Sequence, residues 1–281
     1  MNIQQPLLKK KINFKEQNKI NSLISHLGLH TICVEAMCPN ISECFSKGHA
    51  TFLILGDICT RGCRFCNLKK GRPRRPDPGE PSKVKEAVER LKLKHVVITS
   101  PTRDDLIDGG ADIFYQTICR IKQLSFVRSI EVLIPDFKAN LESIKKVVGA
   151  KPEIIGHNLE TVARFYQVRR GADYQRSLNL LKKVKEMNSE IKTKSALILG
   201  LGEEKEEVIK AIKDLRGAGC DFLALGQYLA PRKSSYPVKR IVKDQEFSYY
   251  KKKAYSLGFL HVEAGTYVRS SYHADKYLSI K

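Results

Sequence analysis

The sequence contains no long apolar run, since no stretch approaches the roughly 20 apolar residues that a membrane-spanning helix needs. It shows no apolar secretory leader either, so we expect a reducing compartment, the cytoplasm, where disulfides are rare. Its seven histidines lack the paired spacing of metal ligands. Acidic residues are outnumbered, 30 against 50 lysines and arginines, which leaves a formal charge of +20. This charge would attract an acidic protein, a nucleic acid or an anionic membrane surface, but membrane insertion is not expected.

Cysteine is the residue that the sequence concentrates. Six of the eight cysteines form two triplets, Cys33-x4-Cys38-x5-Cys44 and Cys59-x3-Cys63-x2-Cys66. Thiolates at this density either crosslink or bind metal, and a reducing compartment favours metal. A closed zinc site takes four tight ligands, usually from two Cys-x2-Cys pairs, and only Cys63 and Cys66 form such a pair. Three cysteines per group instead predict an iron–sulfur cluster with one iron that lacks a cysteine ligand.

Apolar runs of strand length alternate with helix-like segments along the chain. The candidate strands are residues 51–56, 95–99, 130–134, 153–156, 194–199 and 222–225, and the candidate helices are residues 84–91, 113–124, 141–148, 174–187, 204–215 and 245–256. This order predicts an α/β fold, an incomplete (β/α)6 TIM-type barrel over residues 51–258. Residues 1–50 and 259–281 are expected to be extensions, the second of them loop-like. The second cysteine triplet follows the first strand, at the strand end where such barrels place their chemistry.

The second triplet resembles the signature of the radical S-adenosylmethionine (SAM) superfamily, in which an aromatic residue, here Phe65, precedes the last cysteine. The resemblance implies that Cys59, Cys63 and Cys66 hold three irons of a [4Fe–4S] cluster and that SAM chelates the fourth. Reductive cleavage of SAM then gives methionine and a 5′-deoxyadenosyl radical. A zinc knuckle or a ferredoxin-like electron carrier is the alternative interpretation of this triplet.

Further stretches between Cys33 and Ala274 are similar to signatures of the lipoyl synthase family. They include Glu35-Ala36-Met37-Cys38-Pro39-Asn40, Arg103-Asp104-Asp105-Leu106, His157-Asn158-Leu159-Glu160-Thr161, Gly200-Leu201-Gly202-Glu203, Gly226-Gln227-Tyr228-Leu229 and Arg269-Ser270-Ser271-Tyr272-His273-Ala274. The resemblance implies insertion of two sulfur atoms, at carbons 6 and 8, into an octanoyl chain on a lysine of a lipoyl carrier protein. It also implies a second, auxiliary [4Fe–4S] cluster that donates sulfur, with Cys33, Cys38, Cys44 and Ser271 as ligands.

Other site residues are expected within or near these stretches. The resemblance implies that the SAM-binding residues are Asn158, Glu160, Lys194 and Ser195. Glu160 is expected to accept hydrogen bonds from the ribose, and Lys194 and Ser195 to face the cofactor from a strand. Arg269 is expected to act in catalysis by pairing with a substrate or cofactor carboxylate, with a structural salt bridge as the alternative. Cys119 and Cys220 are expected to be small buried residues.

The resemblance also implies partners. They are an octanoylated lipoyl carrier domain or the glycine-cleavage H protein as substrate, an electron donor such as flavodoxin or ferredoxin, and a carrier that repairs the auxiliary cluster. The run Arg72-Pro73-Arg74-Arg75-Pro76 is Pro-rich and is expected to be extended, exposed and able to contact a partner.

Two other functions remain open at this point. A radical SAM methylthiotransferase acting on tRNA is expected to carry an RNA-binding β domain after the barrel, for which residues 259–281 leave little room. A non-enzymatic iron–sulfur or zinc module that binds nucleic acid would suit the charge, but the sequence shows no recognised binding fold or aromatic-basic signature. Nucleic acid is therefore not the expected partner.

Overall fold

The computed structural model describes residues 14–277, which form two compact units. The N-terminal unit comprises residues 14–62 and 67–155, and the C-terminal unit comprises residues 63–66 and 156–277. Parts of both expected extensions, residues 1–13 and 278–281, lie outside the described residues. Within residues 14–277, no helix is long and apolar enough to cross a membrane.

The N-terminal unit alternates strands with helices. Its strands are β1 (His30–Thr31), β2 (Thr51–Leu53), β3 (Ile58–Cys59), β4 (Lys69–Lys70), β5 (His95–Thr99) and β6 (Ser129–Leu133), and its helices are α1 (Phe14–His26), α2 (Ile32–Glu35), α3 (Ile41–Ser46), α4 (Glu80–Leu91), α5 (Ala111–Ile121) and α6 (Leu141–Gly149). Strands β2, β5 and β6 pair in parallel, whereas β1 pairs with β2 in the antiparallel sense. The apolar faces of α4 and α5 are buried through residues such as Val84, Val88, Phe114 and Ile118. Asn140 caps the start of helix α6, because its side chain accepts hydrogen bonds from the backbone N–H groups of Glu142 and Ser143.

A short strand, β7 (Ile154–Gly156), lies where the first unit ends, and the C-terminal unit continues the alternation. Its further elements are α7 (Tyr174–Met187), β8 (Lys192–Leu199), α8 (Lys205–Gly217), β9 (Phe222–Gln227), α9 (Asp244–Ser256) and β10 (His261–Gly265). Strands β8, β9 and β10 pair in parallel. Every residue of β9 is buried, as is typical of a parallel sheet covered on both faces. Helix α8 begins with a capping box formed by Glu204 and Glu207.

The structure confirms the predicted α/β class, with parallel strands and all six predicted strand–helix pairs. Neither unit closes into a barrel by itself. The expectation of loop-like sequence after residue 258 is wrong, because β10 adds a parallel strand beside β9. Only Val262 is fully buried in β10, so the strand lacks the apolar pattern that reveals the others.

The predicted first strand, residues 51–56, is also too long, because β2 ends at Leu53. Leu55 and Gly56 adopt left-handed backbone conformations, with φ of 69° and 86°. The buried carboxylate of Glu80 accepts the N–H of Leu55, and Arg103 donates to the Leu55 carbonyl. These two side chains hold the turn that leads from the strand into the second cysteine triplet.

Candidate functional site

The first cysteine triplet lies on two short helices of the N-terminal unit. Cys33 belongs to α2, Cys44 to α3, and Cys38 to the connection between them. The N–H of Cys38 donates to the carbonyl of Cys33 at 3.0 Å, and the N–H of Ile41 donates to the carbonyl of Cys38 at 3.2 Å. Burial, followed by the neighbouring Cys38, raises the pKa of the Cys33 thiol to about 11. Backbone hydrogen bonds thus fold this triplet into one compact turn.

Arg61 anchors the start of the second triplet in the N-terminal unit. Cys59 ends β3, and its Sγ accepts the backbone N–H of Arg61 at 3.4 Å. The Arg61 guanidinium is only 6% exposed and pairs with Asp104 at 2.7 Å and Asp136 at 2.6 Å. Burial acts against its charge, but the hydrogen bonds and charges of the two carboxylates outweigh burial and raise the pKa of Arg61. The sequence analysis quoted Asp104 as part of a family stretch and overlooked Arg61 and Asp136.

The remainder of the second triplet belongs to the C-terminal unit. The N–H of Arg64 donates to Val168 at 2.9 Å, and the N–H of Tyr236 donates to the Arg64 carbonyl at 2.8 Å. The guanidinium of Arg64 lies over the Tyr236 ring, 5.3 Å from its centre. Phe65 packs against a buried apolar cluster of Val168, Leu201 and Tyr228. The aromatic residue before Cys66 therefore anchors the cysteine loop to the core of this unit.

Glu160 is the centre of a charged group in the C-terminal unit. Its backbone has a φ of 67° and is held by β8, because its N–H donates to Ala196 and its carbonyl accepts from Ile198, both at 2.8 Å. Burial raises the pKa of the Glu160 carboxyl, while Arg169, Asn158 and Arg269 act in the opposite direction. A left-handed conformation is uncommon for a residue other than glycine and is often found at functional sites.

Arg169 is a candidate that the sequence analysis missed. Its guanidinium donates to the hydroxyl of Tyr166 and to the carbonyl of Leu159, the latter at 3.3 Å. Burial opposes its charge, but nearby Tyr166, Glu160 and Cys63 favour it and raise the pKa of Arg169. Arg169 thus brings a permanent positive charge close to both Glu160 and Cys63. The sequence feature that could have identified Arg169 is the pair Arg169-Arg170 before Gly171, in the loop that leads into α7.

The structure brings Asn158, Glu160 and Ser270 together. The hydroxyl of Ser270 donates to Asn158 Oδ1 at 2.9 Å, and Asn158 Nδ2 donates to Glu160 Oε1 at 3.0 Å. Arg269 donates to the carbonyl of Val268 at 2.7 Å and lies close enough to Glu160 to lower the pKa of its carboxyl. Ser271, the expected cluster ligand, follows in the same segment and is half-buried.

Lys194 and Ser195 are fully buried on β8. The Ser195 hydroxyl accepts the N–H of Leu159 at 3.0 Å, so it supports the loop that carries Asn158 and Glu160. Lys194 Nζ lies 3.7 Å from the centre of the Tyr277 ring, a cation–π contact with the C-terminal segment.

Two family stretches hold the backbone in place. The buried carboxylate of Glu203 accepts the N–H groups of Gly200, Leu201 and Gly202. Gly200 has a φ of 108°, and a side chain there would overlap Gln227, so glycine is required. Gln227 is itself fully buried; its amide donates to the carbonyls of Tyr228 and Arg240 and accepts the N–H of Val242.

The two cysteines outside the triplets differ in burial. Cys220 is fully buried, as expected, and burial raises the pKa of its thiol. Cys119 is only half-buried on α5, so the expectation of burial is wrong there. None of the six triplet cysteines is in a disulfide. Within residues 14–277, no group of three or more His, Cys, Asp or Glu side chains could hold a single metal ion. The thiolates of an iron–sulfur cluster bind different irons, so they need not converge on one point.

Known proteins resemble this chain in sequence and in fold. The profile of the Radical SAM superfamily matches residues 53–215. Lipoyl synthase of Geobacter metallireducens (strain ATCC 53774 / DSM 7210 / GS-15) is 53% identical over 270 residues, which cover 96% of this chain and 95% of that protein. Lipoyl synthase of Geobacter sp. (strain M21) is also 53% identical, over 274 residues that cover 98% of this chain and 94% of that protein. The crystal structure of methylornithine synthase has a TM-score of 0.57 at 12% sequence identity. The similarity covers 91% of this chain and 83% of the methylornithine synthase chain, and it shows the same fold.

Proposed function

This chain belongs to the lipoyl synthase family of the radical SAM superfamily, and we propose that it inserts sulfur at carbons 6 and 8 of a protein-bound octanoyl-lysine. It is a sulfur-inserting enzyme, and its cofactors are [4Fe–4S] clusters and SAM. The observation that carries this function is the pair of cysteine triplets, none of them in a disulfide, in a chain with this family identity. The methylthiotransferase and nucleic-acid-binding alternatives have no comparable support.

We assign the triplets to two clusters. Cys59, Cys63 and Cys66 are the proposed ligands of the radical SAM cluster, and the ligands proposed for the auxiliary cluster are Cys33, Cys38, Cys44 and Ser271. The donor set suits iron because thiolates are the usual cluster ligands. A serine oxygen is harder and less usual, which suits a cluster that is dismantled as its sulfur is used. When bound, SAM and the clusters supply the radical chemistry that removes hydrogen from unactivated carbons and the sulfide that replaces it.

The chain's own residues bind and orient these groups in the proposed mechanism. Glu160 and Asn158 would contact SAM, and Arg269, beside Glu160, would pair with a carboxylate of substrate or cofactor. Lys194 and Ser195 of the buried strand β8 complete the proposed SAM-binding set, and Ser195 also supports this loop by accepting the Leu159 N–H. We propose that residues 51–258 form the catalytic region and that residues 1–50 and 259–281 are its extensions, the second of which contributes β10.

We propose that the substrate is an octanoylated lipoyl carrier domain or H protein and that it docks on the basic segment, residues 69–75. Its five cationic side chains are all exposed, namely Lys69, Lys70, Arg72, Arg74 and Arg75. The segment is fixed beside the cluster loop, because Gly71 donates to the Cys59 carbonyl and the buried Arg103 donates to the Arg74 carbonyl. Fixed positive charge at this point complements an acidic carrier.

The remaining partners belong to the same proposal. They are a flavodoxin or ferredoxin as electron donor and a carrier that repairs the auxiliary cluster. A cytoplasmic location agrees with the eight cysteines, none of which is in a disulfide, because the cytoplasm keeps cysteines reduced.

Mass spectrometry of an octanoylated carrier protein tests the function. The carrier is incubated anaerobically with the reconstituted enzyme, SAM and a reductant, and we expect two hydrogens to be replaced by two sulfurs. Iron and sulfide are counted in the same preparation, and about eight of each is expected for two cubane clusters. An unchanged carrier together with methylthiolated tRNA would favour the methylthiotransferase, and bound zinc would contradict both cluster assignments.

A further inference from the structure

Ser270 and Asn158 are 112 residues apart in the sequence but share a direct hydrogen bond in the C-terminal unit. Asn158 belongs to the loop that carries Glu160, and Ser270 precedes Ser271 in the C-terminal segment. The sequence analysis gave Ser270 no role. The structure therefore joins the loop proposed to bind SAM to the segment proposed to supply a cluster ligand.

The chemistry of the three side chains fixes the direction of both hydrogen bonds. Asn158 turns its Nδ2 donor toward Glu160 Oε1, at 3.0 Å, and a carboxylate oxygen accepts this hydrogen bond. Asn158 then presents Oδ1 to Ser270, and an amide oxygen can only accept, so the Ser270 hydroxyl must donate. Loss of the Ser270 hydroxyl would remove one of these two hydrogen bonds of the Asn158 amide and leave the one to Glu160.

The C-terminal segment is held firmly enough to give Ser270 a defined position. Val268 packs in a buried cluster with Ala196 of β8 and Ala224 of β9. A side chain at Gly226 would overlap the carbonyl of Val268, so the segment lies directly against β9. At its far end, the fully buried Tyr277 packs against Lys194, Phe222 and His261.

We propose that Ser270 is a positioning residue for SAM, which orients the Glu160 carboxylate through Asn158 and couples it to the position of the C-terminal segment. This inference rests on the proposed function, because it takes Glu160 as a SAM contact. Under it, the two neighbouring serines have separate effects. Ser270 sets the affinity for SAM, whereas Ser271 serves the auxiliary cluster.

The test measures SAM binding to the reconstituted enzyme without reductant, by equilibrium dialysis, so that no turnover is needed. Ser270→Ala is expected to weaken SAM binding roughly two- to tenfold, the usual range for one neutral hydrogen bond. Ser270→Thr keeps the hydroxyl and is expected to bind SAM like the wild type. Asn158→Asp is expected to weaken binding more, because it replaces the donor beside Glu160 with a second carboxylate. In turnover, Ser270→Ala should raise the KM for SAM with little change in kcat.

Ser256→Ala is the matched control, since the Ser256 hydroxyl bonds only locally, to Lys253 at the end of α9. The Ser270→Ala and Asn158→Ala effects should not multiply in the double variant, because both remove the same contact. Equal SAM affinity in Ser270→Ala and Ser256→Ala would overturn the inference. Loss of about four irons from Ser270→Ala with unchanged SAM affinity would do the same. If the wild type binds SAM but leaves the carrier unchanged, the proposed function fails while the binding measurement still tests Ser270.

Discussion

The two cysteine segments, residues 33–44 and 59–66, are held in different ways. The first is a compact turn between two short helices, in which backbone N–H groups donate to the carbonyls of Cys33 and Cys38. The second also has backbone hydrogen bonds, but side chains add to them: Arg61 pairs with Asp104 and Asp136, while Arg64 contacts the Tyr236 ring and Phe65 enters an apolar core. A backbone-held turn tolerates changes in most of its side chains. A loop held by buried charge depends on each partner.

The same difference extends to electrostatics. Burial and the neighbouring Cys38 disfavour the Cys33 thiolate, and they outweigh the hydrogen bonds from Thr51 and the Cys33 backbone, which act to lower the pKa of this thiol. Near Cys63, the guanidinium of Arg169 supplies positive charge that favours an anionic group. The second segment is therefore the better prepared of the two for a thiolate-bound, negatively charged cluster, and the first must gain that stabilisation from the iron itself.

The largest expected effect separates the functions of the two triplets. Cys63→Ala should abolish SAM cleavage, because one of three thiolates that anchor the radical SAM cluster is lost. Cys38→Ala should leave cleavage intact but abolish the sulfur-containing product. For both variants, SAM cleavage is measured as 5′-deoxyadenosine and sulfur insertion as thiolated carrier, in the same anaerobic reaction. Normal 5′-deoxyadenosine formation by Cys63→Ala, or by the Cys59→Ala and Cys66→Ala variants, would reverse the assignment.

Ser271→Ala should behave like a variant of the first triplet. SAM cleavage is expected to continue while lipoyl product is lost, since the change deletes only the proposed oxygen ligand of the auxiliary cluster. Normal product formation by Ser271→Ala would remove its ligand role. Ser270→Ala is not a neutral control for this experiment, because its hydroxyl bonds to Asn158, so Ser256→Ala serves instead.

Arg61→Met should lower the free energy of unfolding by roughly 3–5 kcal/mol, because it leaves the carboxylate of Asp136, only 1% exposed, without its buried partner. Arg64→Met is the matched control in the same loop. Its guanidinium is exposed and mainly contacts the Tyr236 ring, so a loss below about 1 kcal/mol is expected. Urea unfolding of both variants measures the difference. Similar losses of unfolding free energy in the two variants would show that the buried ion pairs of Arg61 stabilise the second segment no more than the exposed guanidinium of Arg64 does.

Sequence periodicity located the strands and helices well because burial imposes it. Helix α7 has the predicted bounds, and β8 is fully buried except at two positions. It missed β10, where polar residues alternate around a single buried valine. It also missed Arg61, Arg169 and Ser270, whose importance comes from partners distant in the sequence. No local pattern reveals that Arg61 meets Asp136, 75 residues away, or that Ser270 meets Asn158.

Charge reversal tests whether the carrier protein docks on the basic segment, residues 69–75, which follows the second cysteine segment. Replacing Arg72, Arg74 and Arg75 by glutamate should reduce kcat/KM for an octanoylated carrier roughly tenfold at low salt, since steering by complementary charge is lost. Activity on a short octanoyl-lysine peptide should change little. The control replaces three exposed helix lysines, Lys145, Lys213 and Lys252, by glutamate, which changes the net charge equally. Equal losses in the two triple variants would assign the effect to overall charge and not to residues 69–75.

The smallest expected effect concerns a side-chain hydrogen bond, within the N-terminal unit, between the residue that follows the second segment and the first segment. Asn67, directly after Cys66 in the sequence, donates through Nδ2 to the carbonyl of Glu35 at 2.7 Å, inside the backbone-held turn. Asn67→Ala should lower the free energy of unfolding by about 1 kcal/mol, the usual net contribution of one hydrogen bond.

Hydrogen exchange makes this last effect specific to the link. The amides of Met37 and Cys38 should exchange faster in Asn67→Ala, because they follow Glu35 in the turn, whereas the amide of Arg64 should be unaffected. Asn179→Ala is the control, since the Asn179 side chain is exposed on α7 and accepts only from Gln175. Unchanged exchange at Met37 and Cys38 would mean that the first segment is held by its own backbone alone, and the contrast between the two segments would then be complete.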